Sequence, residues 1–269
     1  MYKRILVPVQ VPSEVEPLIR FAANLLEAEG EIRLLHVIPT TTMPEVAREW
    51  RRSVNIVVPA HETGASLDVR VEPEVKAATD VSGEILESAE TADVEAIIMT
   101  LRGDRRSRNP FVGHTASGIL HHAPCDVLIL NRLALAGDRI PRILLPTFRP
   151  SAPPKSMRLA EEISIRAGGV PVITLELSPR ETGRESGPAA EDTSPRGVPL
   201  RHKHALFPES LLGRRRRLPE LLLQAAQRER YGLLVVSGEE SGTEGLILTR
   251  RIVEDLFRAA PCPVVALRA

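Results

Sequence analysis

Arg4-Ile5-Leu6-Val7-Pro8, near the start of the chain, is written a second time as Arg142-Ile143-Leu144-Leu145-Pro146. A second pair follows the first. Ala123-Pro124-Cys125 before an apolar run returns as Ala260-Pro261-Cys262 before another. The two pairs are separated by nearly the same interval, far longer than a solenoid unit of roughly 20–50 residues. An interval of this size marks a duplicated domain, and a chain of 269 residues is long enough for two domains with cores of their own. The repeat sets the domains at 1–134 and 139–269, joined by a short linker near residues 131–141.

Working outward from residues 5–9, apolar strand-like runs alternate with helix-like periods. Residues 14–29 carry Leu18, Phe21, Ala22, Leu25 and Leu26 at helical spacing, and Gly30 is expected to end that helix. Residues 32–38 form a second apolar run, 44–60 a helix, and 67–75 an alternating strand. Residues 80–92 fit a helix, 96–100 a strand, 115–122 a helix and 127–130 a closing strand. The second copy repeats the plan with strands at 143–145, 170–177, 198–206, 233–237 and 264–267, and helices at 155–166, 218–230 and 249–259. Gly168-Gly169 is its first helix stop. Residues 178–197 are polar and rich in Pro, Gly, Ser and Glu, so they read as a flexible excursion. Near-continuous apolar strands alternating with helices predict an α/β fold with a doubly wound parallel sheet in each copy. Its ligand crevice lies at the carboxyl ends of the strands.

Composition narrows the function. Lys plus Arg equals Asp plus Glu at 35 each, so no global field draws the protein to nucleic acid or to an anionic membrane. Aromatic residues make up 3%, too few for base-stacking platforms. No apolar run is long enough to span a bilayer. The first residues lack a long signal-peptide core and read as a buried first strand, so the expectation is a cytoplasmic protein. Cys125 and Cys262 occupy equivalent positions, which duplication explains without a disulfide.

The most chemical stretch is Met99-Thr100-Leu101-Arg102-Gly103, nine residues, then Gly113-His114-Thr115. It leads from a strand end through a loop into a helix start, where free N–H groups and the helix dipole favour anions. Glycines there let phosphate oxygens approach the backbone. This spacing, the His36-Val37 strand end, the opening Arg-Ile-Leu-Val-Pro-Val and the pattern Leu-x-His-Ala-Pro-Cys-x-Val-Leu over 120–128 resemble the universal stress protein family. The resemblance covers both copies. It implies two domains of strand order 3-2-1-4-5 forming an internal pseudo-dimer, in which 127–130 pairs antiparallel with 264–267. A further homo-oligomer is compatible with it. It also implies a cytoplasmic stress-response protein that acts by binding, with ATP or another adenine nucleotide as the candidate ligand and Mg²⁺ only alongside ATP.

Nucleotide-binding members of that family carry Gly-x2-Gly-x9-Gly followed by Ser or Thr, and an Asp after the first strand. Here Thr100 stands at the first Gly, Gly103 and Gly113 match, His114 replaces the hydroxyl residue with Thr115 one place later, and Gln10 replaces the Asp. A Gln amide both donates and accepts, so it can still address an adenine edge. The candidate nucleotide site in the first copy is therefore Gln10, Val37, Met99, Gly103, Gly113, His114 and Thr115. In the second copy Ser237, Glu240, Arg250, Arg251 and Phe148 stand at the positions of Thr100, Gly103, Gly113, His114 and Gln10. A carboxylate beside phosphate is repulsive, so this copy reads as degenerate.

The other clusters read as ordinary surface. Arg102, Arg105, Arg106 and Arg108 form a solvated loop rather than a triphosphate clamp, as do Arg214 to Arg217. His121 and His122 are adjacent on a helix and cannot chelate together. His202 and His204 share a strand face without a third ligand. No nucleophile elbow or paired-carboxylate arrangement is visible, so no catalytic residue and no metal site are assigned. The alternatives to nucleotide binding are a regulatory or interaction module that binds no nucleotide and a slow ATP hydrolase. The hydrolase requires a complete phosphate loop with a metal-ligating acid, and neither is present in the sequence.

Overall fold

A computed structural model describes residues 1–40, 43–100, 114–130, 140–147, 154–179, 190–207, 218–238, 255–257 and 259–268. These residues fall into two compact units, one ending at Leu130 and the other beginning beyond it.

The first unit contains β1 (Tyr2–Pro8), a 3-10 turn (Pro12–Glu14), α1 (Val15–Ala23), β2 (Leu26–Pro39), α2 (Met43–Arg52) and α3 (Val54–Leu67). It continues through β3 (Arg70–Ala78), α4 (Val81–Thr91), β4 (Ala96–Thr100), α5 (His114–His122) and β5 (Asp126–Leu130). The strands are parallel, in the order β3-β2-β1-β4-β5. Ile5, Val7, Ile97 and Ile98 have no measurable exposure, as central strands covered on both faces require. Burying each such side chain contributes about 1.5–3 kcal/mol. Val15, Leu18, Ile19 and Ala22 of α1 and Ala116 and Ile119 of α5 present buried stripes to that core.

Three local expectations are corrected. The helix expected over 14–29 stops at Ala23, and Gly30 lies inside β2 rather than at a helix end. The β1–β2 ladder slips there, with Tyr2 opposite Leu26 but Arg4 opposite Glu31. A Cβ on residue 30 would stand 2.7 Å from Leu26 Cγ and 2.9 Å from the Lys3 carbonyl oxygen, so glycine serves a close approach. The helix expected over 44–60 is two helices. The hydroxyl of Ser53 donates to the Trp50 carbonyl at 2.6 Å where the first ends. α3 then runs on to Leu67, where a strand was expected to begin, and Asp68 closes it at φ 54°. β3 is displaced to Arg70–Ala78, in continuous register with Glu31–Pro39 of β2.

The second unit holds β6 (Ile143–Thr147), α6 (Pro154–Arg166), β7 (Val172–Pro179), β8 (Ala190–Thr193), β9 (Pro199–Phe207), α7 (Leu218–Arg228), β10 (Leu233–Gly238) and β11 (Val264–Arg268). Its order is β11-β10-β6-β7-β9-β8. Without β8 this is the same 3-2-1-4-5 arrangement, read from the β9 side. The repeat extends to strand register. Ile5 pairs with Ala96 and Ile97 with Val127 in the first unit, and Ile143 pairs with Leu233 and Leu234 with Val264 in the second. Gly168 and Gly169 close α6 at φ 89° and 77°, the left-handed region that glycine enters without steric cost.

The polar excursion over 178–197 is corrected in part, because β7 extends to Pro179 and β8 pairs antiparallel with β9. The β8–β9 turn is held by polar contacts and by the buried side chain of Val198. Ser194 Oγ accepts the Arg196 and Val198 N–H groups, both at 3.2 Å. Arg196 pairs with Glu162 of α6 at 2.8 Å. Residues 180–189 lie outside the described residues. So does most of the helix expected over 249–259, of which 255–257 and 259 are helical.

Candidate ligand-binding site

In the first unit the strand order reverses between β1 and β4, and doubly wound sheets take ligands at the carboxyl ends of the strands that flank such a point. A cleft of ≈ 320 Å³ opens there. It falls at the small end of the roughly 300–1,000 Å³ typical of small-molecule sites. Pro8 and Val9 end β1 on one side of it, and Leu35, Val37 and Pro39 of β2 line the next wall. Met99 closes β4, and Val81 and Ile85 of α4 complete the apolar lining. His36 Nδ1 donates to the Val9 carbonyl at 3.0 Å and ties the two strand ends together. Gln10, Glu14, Thr100 and Thr115 supply the polar groups.

Of the residues singled out from sequence, Gln10, Val37, Met99 and Thr115 meet in this one cleft. Val37 and Met99 are buried wall residues, Gln10 is exposed at the lip, and Thr115 is half-buried. His114 is the first residue of α5. Gly103 and Gly113 lie outside the described residues, together with Arg102, Arg105, Arg106 and Arg108.

Glu14 was missed. Its Oε2 accepts the backbone N–H groups of Gln10 and Val11 at 3.2 and 3.4 Å, and its Oε1 accepts the Thr100 hydroxyl at 2.9 Å. The residue ends the short 3-10 turn and folds back to accept the N–H of Val11 at the turn's own start, the acidic half of a capping box. The signal was Glu14 at the head of residues 14–29, which were read only as a helix. Its contact with Thr100 spans 86 positions, and only folding creates it.

The second unit keeps Ser237 at the register of Thr100: Thr100 faces Leu130, and Ser237 faces Leu267. Phe148, Glu240, Arg250 and Arg251 lie outside the described residues. Among the described residues, no group of three or more His, Cys, Asp or Glu side chains is placed to hold a metal ion. His202 Nδ1 lies 2.7 Å from the hydroxyl of Thr174. Neither Cys125 nor Cys262 is in a disulfide, and burial pushes the Cys262 thiol up to about 11, which keeps it protonated near neutrality. Among the described residues, no helix is long and apolar enough to cross a membrane.

Among curated proteins, none matches this chain. Solved structures of low identity share its fold over nearly the whole length. A universal stress protein from Archaeoglobus fulgidus DSM 4304 is 15% identical at TM-score 0.65, covering 98% of this chain and 95% of its own. A functionally unknown protein from Pseudomonas aeruginosa PAO1 is 13% identical at TM-score 0.59, covering 99% and 92%. The cytoplasmic domain of a prokaryotic cation chloride cotransporter is 12% identical at TM-score 0.59, covering 99% and 95%. A fold found in both a stress protein and a transporter domain does not by itself assign a function. In sequence, the model of the universal stress protein family matches residues 1–131. The chain belongs, through that matched half, to the universal stress protein family.

Proposed function

We propose that the first unit binds a small ligand of the adenine nucleoside or nucleotide class in the cleft at the ends of β1, β2 and β4, and that the protein acts by binding rather than turnover. The observation that carries this is the convergence of Gln10, Val37, Met99 and Thr115, four positions chosen from sequence, on one apolar cleft with a polar rim. Apolar walls suit the faces of a flat ring, and the Gln10 amide at the lip offers both a donor and an acceptor to its edge. A divalent cation accompanies only a phosphorylated ligand in this reading. The working compartment is the cytoplasm, where both thiols stay reduced.

Titration calorimetry with adenosine, AMP and ATP tests the reading on the full chain and on Val37→Trp, whose indole fills the cleft. The expected result is one site per chain, weakened at least tenfold by Val37→Trp, which corresponds to about 1.4 kcal/mol. Two equal sites, or affinity unchanged by Val37→Trp, would place the ligand elsewhere. Absence of binding by all three compounds supports the interaction-module reading instead.

A further inference from the structure

The lip of the cleft is set by one peptide group, the one that joins Val9 to Gln10. Its carbonyl accepts the Nδ1–H of His36 at 3.0 Å, and its N–H donates to Oε2 of Glu14 at 3.2 Å. Nδ1 is the donor because a carbonyl oxygen only accepts. A peptide group is planar, so holding both of its polar groups fixes its orientation and the direction in which Gln10 leaves it. One residue earlier, the Val9 N–H donates to the Leu35 carbonyl at 2.9 Å, which carries the β1–β2 ladder up to the same point. His36 acts from outside the cleft. Leu35 and Val37 line it, side chains alternate along a strand, and His36 between them faces the other way at 7% exposure.

Gln10 is exposed and lies beyond the end of β1, where connecting segments are ordinarily mobile. A ligand that had to order such a residue would lose about tenfold in affinity to the backbone entropy of that one position. A clamped peptide is ordered during folding instead, as in a preorganised site. We propose that His36 is a positioning residue of this cleft: its hydrogen bond to the Val9 carbonyl holds the Gln10 amide where the edge of a bound ring meets it. The proposal rests on the cleft reading above. A histidine that served packing alone would stabilise the strand ends without acting through Gln10, and that difference is measurable.

Adenosine titrated into the full chain as wild type, Gln10→Ala, His36→Asn, His36→Leu and the double variant of Gln10→Ala with His36→Leu provides the test. Asparagine offers an amide N–H at the position of Nδ1, whereas leucine has no donor. His36→Leu and Gln10→Ala should each weaken adenosine by about tenfold. His36→Asn should stay within about threefold of the wild type, and the double variant within about twofold of Gln10→Ala, because losses that do not add mark one residue acting through another. Losses that add in the double variant, equal losses in His36→Asn and His36→Leu, or an unchanged affinity in Gln10→Ala would each overturn the proposal. If His36→Leu fails to unfold cooperatively, His36→Gln, whose donor stands one bond farther out, takes its place in both comparisons. Adenosine binding that Val37→Trp weakens but that fails these comparisons sinks only this proposal. So does a chain that binds AMP or ATP but not adenosine. No binding by any of the three sinks the cleft reading and this one with it.

Discussion

Gly30 shows how one residue can be read correctly as special and for the wrong reason. A glycine after a helical period suggests a helix stop, where freedom of φ matters. Its role here is space, since an added Cβ would meet Leu26 Cγ at 2.7 Å and the Lys3 carbonyl at 2.9 Å. The carbonyl belongs to the backbone of the neighbouring strand, so a rotamer change cannot relieve the clash. Gly30→Ala should cost about 1–3 kcal/mol, the usual range for overpacking. Urea unfolding measures it, and an unchanged midpoint would show that the β1–β2 slip relaxes freely. Gly168 is the contrasting case, because nothing lies within 4 Å of its added Cβ and only its φ of 89° requires glycine.

At the scale of elements, caps and turns decide where segments begin and end. Asp80 caps α4, accepting the Ser82 N–H at 3.0 Å and the Ser82 hydroxyl at 2.7 Å. The Ser82 hydroxyl, then the Gly83 and Ser82 backbone N–H groups, favour the charged form and hold this carboxyl below its usual range. A depressed folded pKa means stability that is complete above the unfolded value of about 3.9 and is lost as pH falls through the lower folded value. The deficit of Asp80→Ala should therefore be largest near neutral pH and shrink as pH falls below about 4. Urea midpoints of both proteins between neutral and acid pH measure it, and a deficit that grows in acid would reverse the assignment. The β8–β9 turn makes a second prediction. Arg196 is tied to Glu162, and its turn is closed by Ser194. Trypsin should therefore spare Arg196 in the native protein and cut there after Glu162→Ala with Ser194→Ala. Early cleavage at Arg196 in the wild type would count against the ordered turn.

Across the molecule, the unit of organisation is the repeat. Both halves carry the same strand order and matching registers at β1/β6, β4/β10 and β5/β11. We propose residues 1–134 and 139–269 as separable domains. Residues 1–134 expressed alone should unfold cooperatively and retain the ligand affinity of the full chain. A fragment without a cooperative transition by circular dichroism would show that the boundary cuts through a single folding unit. If residues 139–269 instead carried the ligand site, the reading of that copy as degenerate would be reversed.

The strands were legible in the sequence because a buried parallel strand must be apolar on both faces, whereas their order was expected only from the family resemblance. Runs such as Ile5–Val7 and Ile97–Met99 leave no other reading once helices separate them. Duplication added a second instance of each strand to compare. Gln10, Val37, Met99 and Thr115 were legible for a different reason. The family resemblance singled them out; Gln10, Val37 and Met99 lie at or near strand ends and Thr115 in the first turn of α5, and the topology gathers these places together. What sequence could not show was anything created by long-range approach. The slip that puts Gly30 against Lys3, the displacement of β3 to match β2, and the pairing of β8 with β9 depend on which segment lies alongside. The Glu14–Thr100 hydrogen bond is the functional example. Each residue alone is an unremarkable turn acid or a strand-end threonine, and only the β1–β4 neighbourhood brings them to 2.9 Å. Local periodicity determined the layers of this protein. The charge inside its cleft was decided by tertiary structure, because a side chain's electrostatic surroundings are set by what folding places beside it.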